Sequence, residues 1–268
     1  MKKVVIVIPV YRIKPSESEE LSFRCVLRVC GSRDISLVIP ESFDSSYYQQ
    51  IAKEEKHGIG EERFKDHFFT SVEAYNSLCL DKKFYHRYLK YEYMLLYQLD
   101  AYIFRDDLNI WCEKGYDYVG APWPVGTIGN MEPIVGNGGF SLRKNALFYE
   151  LLAGDMPRHN VCQSYRWFRK HYGLKGYGIS KSIFMSIFRS LGYKNTWSYY
   201  LKSYQHEDMF FCEILKALGI PLSIPDENEA SLFALELNGP MYFKKNGCLP
   251  MGCHAWDKYD KEFWSKFI

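Results

Sequence analysis

Three apolar runs of strand length constrain the fold most: KVVIVIPV at residues 3–10, DISLVIP at 34–40 and YMLLYQL at 93–99. Each is nearly continuous in large apolar side chains, as a strand covered on both faces must be. The segments between them can form helices. Ser16 to Glu20 offers an N-cap and first-turn acids to a helix through about Cys30, and ESFDSSYYQQIAKEEK, residues 41–56, can form another. A short strand is expected near FKDHFF, residues 64–69, followed by a long helix capped by Ser71 and running to about Tyr88. YDYVGAP (116–122) and GGFSLR (138–143) read as further strands. This alternation predicts an α/β fold with a mostly parallel central sheet flanked by helices.

Hydrophobic residues make up 47% of the 268, which sets the chain apart from disordered sequences, and a net charge of +2 names no polyanionic partner. The start, MKKVVIVIPVYR, is broken by Pro9 and reads as a first strand rather than a leader. No window approaches the ~18 apolar residues of a membrane span. Eight cysteines are scattered without a CxxC pair and no N-x-S/T site occurs, so reduced thiols and a cytoplasmic location are expected. CLPMGCH, with Cys248, Cys253 and His254, hints at a thiolate metal cluster but lacks a second close pair of ligands.

Ligands of open α/β sheets gather beyond the carboxyl ends of the strands. Asp100 stands at that end of the most buried strand and is read as ligand-facing. Asp106 and Asp107 directly precede LNIWCEK and are explained as helix caps. In VGNGGFSLR, residues 135–143, the glycines around Asn137 allow close backbone approach to a polar ligand such as a sugar, or simply a tight turn entering a strand. HEDMFFCEILKALG, residues 206–219, buries one helical face through Phe210, Phe211, Ile214, Leu215 and Leu218. Glu207 and Asp208 then sit in the first turn, which suits a general base and equally an ordinary helix start.

Taken in order, VVIVIPVYR, YMLLYQLDAYIF, VGNGGFSLR, HEDMFF and GCHAW resemble the landmarks of GT-A nucleotide-sugar glycosyltransferases, from residue 4 to residue 256. More closely, they resemble a bacterial glycosyltransferase-like family with the same QLD, GNGGFS, ED and HAW series. The resemblance implies one GT-A-like domain over 1–268 with a helical insertion at about 155–205. It implies transfer of a sugar, with inversion, from a nucleotide-diphosphate donor, a UDP-sugar first, to a hydroxyl of a glycan or lipid-linked acceptor in surface-polysaccharide assembly. Asp100 and His254 would hold Mn²⁺ or Mg²⁺ against the diphosphate. Gln98, however, stands where the family's Asp-x-Asp motif has its first acid. Asp208 would be the base, Glu207 would hold hydroxyls, Asn137, Gly138 and Gly139 would line the sugar pocket, and Tyr11 would stack on the nucleotide base. A non-catalytic binding module on the same scaffold and a nucleotidyltransferase stay open as alternatives.

Residues 158–202 hold nine Lys or Arg and no Asp or Glu, with aromatics interleaved. Ile183, Ile187 and Leu191 recur at helical spacing, with Phe184 and Phe188 beside them. The segment reads as a helical hairpin packed by its aromatics, as a dock on the anionic inner face of a membrane, or, third, as a single-strand nucleic-acid surface. Its place just before Glu207 and Asp208 leads us to expect it at the acceptor side of the site.

Overall fold

The computed structural model describes residues 2–127, 134–153, 161–172, 176–195, 199, 206–217 and 219–268. The first half alternates β1 (Lys2–Pro9), α1 (Glu17–Val29), β2 (Asp34–Pro40), α2 (Ser46–Glu54) and β3 (Ile59–Phe64). It continues with α3 (Val72–Cys79), α4 (Lys82–His86), β4 (Tyr91–Tyr97), β5 (Tyr102–Ile103) and α5 (Leu108–Glu113). Then come β6 (Tyr118–Val119), β7 (Pro122–Trp123), β8 (Ile134–Val135), β9 (Phe140–Lys144), α6 (Asn145–Ala153), α7 (Val161–Tyr172), α8 (Tyr177–Ser190), β10 (Ala234–Leu235) and β11 (Gly252–Cys253).

Six strands form the central sheet in the order β3-β2-β1-β4-β9-β6. β3, β2, β1 and β4 pair in parallel. β9 runs antiparallel to both β4 and β6, so it alone is reversed within this sheet. The period-two geometry of a strand explains the continuous runs. Val4, Ile6, Ile8, Tyr93, Leu95 and Tyr97 pack into one apolar layer, while Val5, Val7, Met94 and Leu96 pack into the other. Both faces are covered, as the α/β reading requires. A small sheet, β10-β11-β5, joins this core through Ile103 and Ala234 and carries the late histidine turn.

Several boundaries differ from expectation. β3 falls on IGEERF rather than on FKDHFF, because an edge strand tolerates charges and needs no apolar alternation. Residues 66–69 instead form a 3₁₀ turn, fastened by Asp66 accepting from the Ser42 amide at 3.1 Å. Ser71 does cap a helix, but Asp81 accepts from the Lys83 amide at 2.9 Å and starts a second one, dividing the expected long helix in two. Gly120 and Ala121 separate β6 from β7, dividing the strand expected over 116–122. The helix from Glu207 passes into a π turn at Phe210–Ile214, and Leu218 lies outside the described residues. Residues 154–160, 173–175, 196–198 and 200–205, which belong to the expected insertion, lie outside them too. Among the described residues, no helix is long and apolar enough to cross a membrane.

Asp106 and Asp107 serve the start of α5 unequally. Asp106 accepts from the Leu108 amide at 3.2 Å and pairs with Arg33 at 2.6 Å, whereas Asp107 makes no capping bond and pairs with Arg105. Leu95 is fully buried in β4. Leu95→Ala is expected to cost about 2–5 kcal/mol in urea unfolding, by lost transfer energy and the cavity left behind.

A charge cluster ties α1 to α2: Arg24 reaches Glu20, Glu54 and Glu55 at 2.9, 2.8 and 3.1 Å, and Arg28 reaches Glu55 at 2.6 Å. Tyr47 and Arg24 hold Glu20 below the ordinary value of 4.5, Arg24 does so for Glu54, and Arg28 for Glu55. With depressed folded values, the unfolded chain takes up protons first as pH falls. The stabilisation is therefore complete above pH 4.5 and is lost as pH falls through the lowered folded values. An Arg24→Gln/Arg28→Gln variant is expected to show a shallower fall of melting temperature between about pH 5 and 3.

Candidate active site

The sheet's geometry delivers the acids and the histidine to one place. β4 ends at Tyr97, the Gln98 amide donates to the Gly139 carbonyl at 2.9 Å, and the chain turns so that Ala101 N–H donates back to Gln98 at 2.9 Å. Asp100 projects from this turn with its side chain 43% exposed. His254 follows β11, its amide donating to Leu235 at 2.8 Å. His254 Nε2 lies 3.2 Å from Asp100 Oδ1 and 3.2 Å from Gln98 Oε1. His254 Nδ1 lies 3.2 Å from Glu236 Oε1, an ion-pair distance without hydrogen-bond alignment. Burial opposes a charge on the ring, but Asp100 and Glu236 outweigh it and raise the His254 pKa to about 10. Burial likewise opposes ionisation of Asp100, yet His254 holds its carboxyl below the usual range.

The donor set fits a hard divalent cation. Asp100, Gln98 and His254 present one carboxylate, one amide oxygen and one imidazole nitrogen to a common side. Glu236 stands behind the other ring nitrogen, where a carboxylate commonly orients a metal-binding imidazole. Among the described residues, no three His, Cys, Asp or Glu side chains form a ready metal cluster, since Asp100 and Glu236 flank opposite sides of the ring. Cys253 belongs to an apolar cluster with Leu235 and Trp256, and burial pushes its thiol up.

A cavity of about 660 Å³ opens beside Asp100, walled by the carboxyl end of β1, the Gln98–Asp100 turn and the start of α3. Tyr11 lines it and is 58% exposed.

The glycine turn connects this cluster to a second one. At Gly139 a Cβ would fall 2.0 Å from His254 Nε2, and at Gly138 one would fall 2.4 Å from Glu207 Oε1 and 3.5 Å from Asp208 Cβ. Neither position accepts a side chain, so the backbone itself packs against both groups. Asn137 has its own side chain committed: Nδ2 donates to Glu236 at 2.9 Å and Oδ1 accepts from the Gly139 amide at 3.1 Å.

Arg143 on β9 is fully buried beneath the turn. Its guanidinium donates to both Glu207 oxygens, at 2.7 and 3.0 Å, to the Tyr85 hydroxyl at 3.0 Å and to Ser141 at 3.0 Å. Glu207 is 3% exposed and its amide donates to Asn76 at 3.3 Å. With both oxygens engaged by Arg143, the Glu207 carboxylate faces the protein interior. Burial pushes its carboxyl above the ordinary value, against the pull of Arg143. Asp208 is only half-buried, and it accepts from the Met209 amide at 2.7 Å and the Gly138 amide at 3.4 Å. Burial raises its pKa as well, against those amides.

Arg143, Glu236, Tyr85 and Asn76 were not singled out from the sequence. Arg143 carried a signal nonetheless: a cation inside an apolar strand demands a buried counter-charge. Arg143→Met should cost about 3–5 kcal/mol in denaturant unfolding by leaving Glu207 uncompensated, and Arg143→Met/Glu207→Leu should recover part of that loss.

Residues 58–254 match the family described as "Protein of unknown function (DUF5672)", and the chain belongs to that family. No curated protein matches it significantly. Among solved structures it is similar to the glycosyltransferase GlyE of Streptococcus pneumoniae TIGR4, at 14% identity and TM-score 0.46 over 100% of this chain and 60% of that one. It is similar to core-mannan synthase A of Aspergillus fumigatus in its Mn/GDP form, at 11% identity and TM-score 0.36 over 57% of this chain and 64% of that one. A cytidylyltransferase of Leptospira borgpetersenii aligns at 10% identity and TM-score 0.33, over 57% of this chain and 65% of that one. The chain thus spans less than two thirds of the length of each. These are likenesses of chain trace.

Proposed function

We propose that this member of the DUF5672 family is a nucleotide-sugar-dependent glycosyltransferase of GT-A type. One observation carries the reading: a side-chain-free turn, Gly138–Gly139, has the Asp100–His254 cluster against one residue and Asp208 against the next. Glycosyl transfer needs that separation, because negative charge gathers on the departing diphosphate while a proton must leave the incoming hydroxyl on the other side of the sugar. The nucleotide would occupy the 660 Å³ cavity with its base on Tyr11, and the sugar would lie along the glycine backbone.

When bound, Mn²⁺ or Mg²⁺ would be held by Asp100 and His254 with Gln98 offering its amide oxygen, and would neutralise charge on the diphosphate. Asp208 accepts the acceptor's proton. Its burial-raised pKa brings it closer to neutrality and makes it a stronger base than an exposed carboxylate. Glu207 acts through position, its pair with Arg143 anchoring the backbone from which Asp208 projects. A base opposite the leaving group supports inversion. The acceptor class follows the family resemblance, a glycan or lipid-linked hydroxyl in surface-glycan assembly, and a UDP-sugar is the first donor to test.

A panel of nucleotide sugars, with and without Mn²⁺, should include one that raises the melting temperature, since a ligand of the native state stabilises it. With that donor, Asp208→Asn should lower turnover by ~10²–10⁴-fold and leave donor affinity nearly intact. Release of pyrophosphate in place of a nucleoside diphosphate would make the protein a nucleotidyltransferase. Stabilisation by none of the panel would leave a binding module.

A further inference from the structure

α7 and α8 pack on each other, and α8 turns its polar side inward. Ser182 and Ser186 are buried, and their hydroxyls donate to carbonyls one turn back in the same helix. Arg189 is also drawn inward, only 3% exposed. The expectation that the aromatics pack inward therefore fails at Phe184 and Phe188. The outer face carries Ile183, Phe184, Ile187, Phe188 and Leu191, exposed by 49, 59, 49, 43 and 77%. At 3.6 residues per turn these five make one continuous stripe, and the rings of Phe184 and Phe188 stand 4.6 Å apart. Exposed apolar residues scattered singly are ordinary, but a contiguous apolar helix face turned to water marks a contact surface.

Charge identifies the partner. The stretch 158–202 carries nine Lys or Arg and no acid. Lys181 is half-buried just before the apolar stripe, and exposed Lys194 sits over the Tyr193 ring at 5.5 Å just beyond it. A second copy of the chain would set like charges against each other. Single-stranded nucleic acid would meet the cations and could stack on Phe184 and Phe188, but it would leave the aliphatic Ile183, Ile187 and Leu191 of the same stripe against polar backbone and water. An anionic lipid surface satisfies both features, since acyl chains accept the aliphatic and aromatic stripe and headgroups the lysines.

We propose that the exposed face of α8 docks on an anionic membrane surface, with Ile183, Phe184, Ile187, Phe188 and Leu191 in the interfacial layer and Lys181 and Lys194 at headgroup level. This inference goes beyond the transferase reading and stands without it, because membrane binding is measured with no donor or acceptor present. The residues joining this hairpin to Glu207, 196–198 and 200–205, lie outside the described residues, so its expected place at the acceptor side forms no part of the proposal.

The test is co-sedimentation of the whole protein with phosphatidylcholine vesicles and with mixed phosphatidylcholine–phosphatidylglycerol vesicles, at low and high salt. The wild type should bind the anionic vesicles, and high salt should weaken the binding. Phe184→Ser/Phe188→Ser and, separately, Lys181→Gln/Lys194→Gln should each weaken it by about tenfold or more. These side chains are not core residues, and a melting curve for each variant verifies folding. No wild-type binding, or equal binding to neutral vesicles, overturns the proposal. So does self-association in light scattering that Phe184→Ser/Phe188→Ser abolishes while vesicle binding is unchanged. Tighter binding to a single-stranded oligonucleotide than to anionic vesicles would also overturn it, in favour of nucleic acid.

Discussion

The site depends on two adjacent residues having no side chains. Gly138 and Gly139 let the backbone between β8 and β9 press against a buried ion pair on one side and an imidazole on the other, at distances that any Cβ would violate. The flexibility of glycine is otherwise a cost, since it loses more conformational freedom on folding than any other residue. Here that cost is offset by fixed neighbours. The Gln98 amide takes the Gly139 carbonyl, Ser141 donates to the Gly138 carbonyl at 2.9 Å, and Asn137 clamps the Gly139 amide. The turn is thus rigid although it is made of glycine, and any group packed against it inherits a defined position.

Rigidity at the turn requires the buried pair beneath it. Desolvating a guanidinium and a carboxylate is expensive, and hydrophobic replacements of the same volume are often no less stable. Arg143–Glu207 is therefore weak as a source of stability but strong as a source of geometry. The guanidinium is planar and reaches Glu207, Tyr85 and Ser141 at once, leaving the first turn of the Glu207 helix little freedom. The π turn that follows brings Cys212 against Gly136, whose φ of 138° lies in the region that favours glycine. Glu207 is thereby spent on architecture, and Asp208, next to it and only half-buried, is the more accessible carboxylate of the two.

Much of the fold was legible because burial on two faces writes itself into a strand as an unbroken apolar run. β2 coincides with its run, β1 is offset by one residue and β4 by two, and Ser16 caps α1 as expected, in a capping box with Glu19. β3 was misplaced because an edge strand of charged residues carries no such signature. The expected α3 ran on to Tyr88 because helical periodicity survives across Asp81, although that carboxylate caps a new helix. In the candidate site, position and resemblance pointed to Asp100 and His254, which the fold brings to 3.2 Å from each other. Glu236 could not, because its partners His254 and Asn137 are 18 and 99 residues away and no local pattern ties an acid after β10 to either. Nor could the inward-facing serines of α8, since periodicity reveals that a helix has two faces but not which of them meets water.

The electrostatics of the cluster bear on the proposed cation independently of the amide at Gln98. Asp100 and Glu236 contribute two negative charges, and His254 contributes at most one positive charge. Whether the ring carries one proton or two, the trio is net negative. Arg12 also lines the cavity, but it is engaged with Glu19 at 3.3 Å, and exposed Lys258 acts on both carboxylates only through space, where solvent screens it. In the proposed transfer, a diphosphate brought against a net negative trio would be repelled, and the repulsion would grow as the bond to the sugar breaks and charge accumulates on the leaving group. An amide at Gln98, where the GT-A resemblance would put an acid, makes this repulsion smaller by one charge while keeping an oxygen in place. The proposed cation-assisted transfer therefore does not require an acid at Gln98, because Glu236 supplies a second negative charge from behind the imidazole.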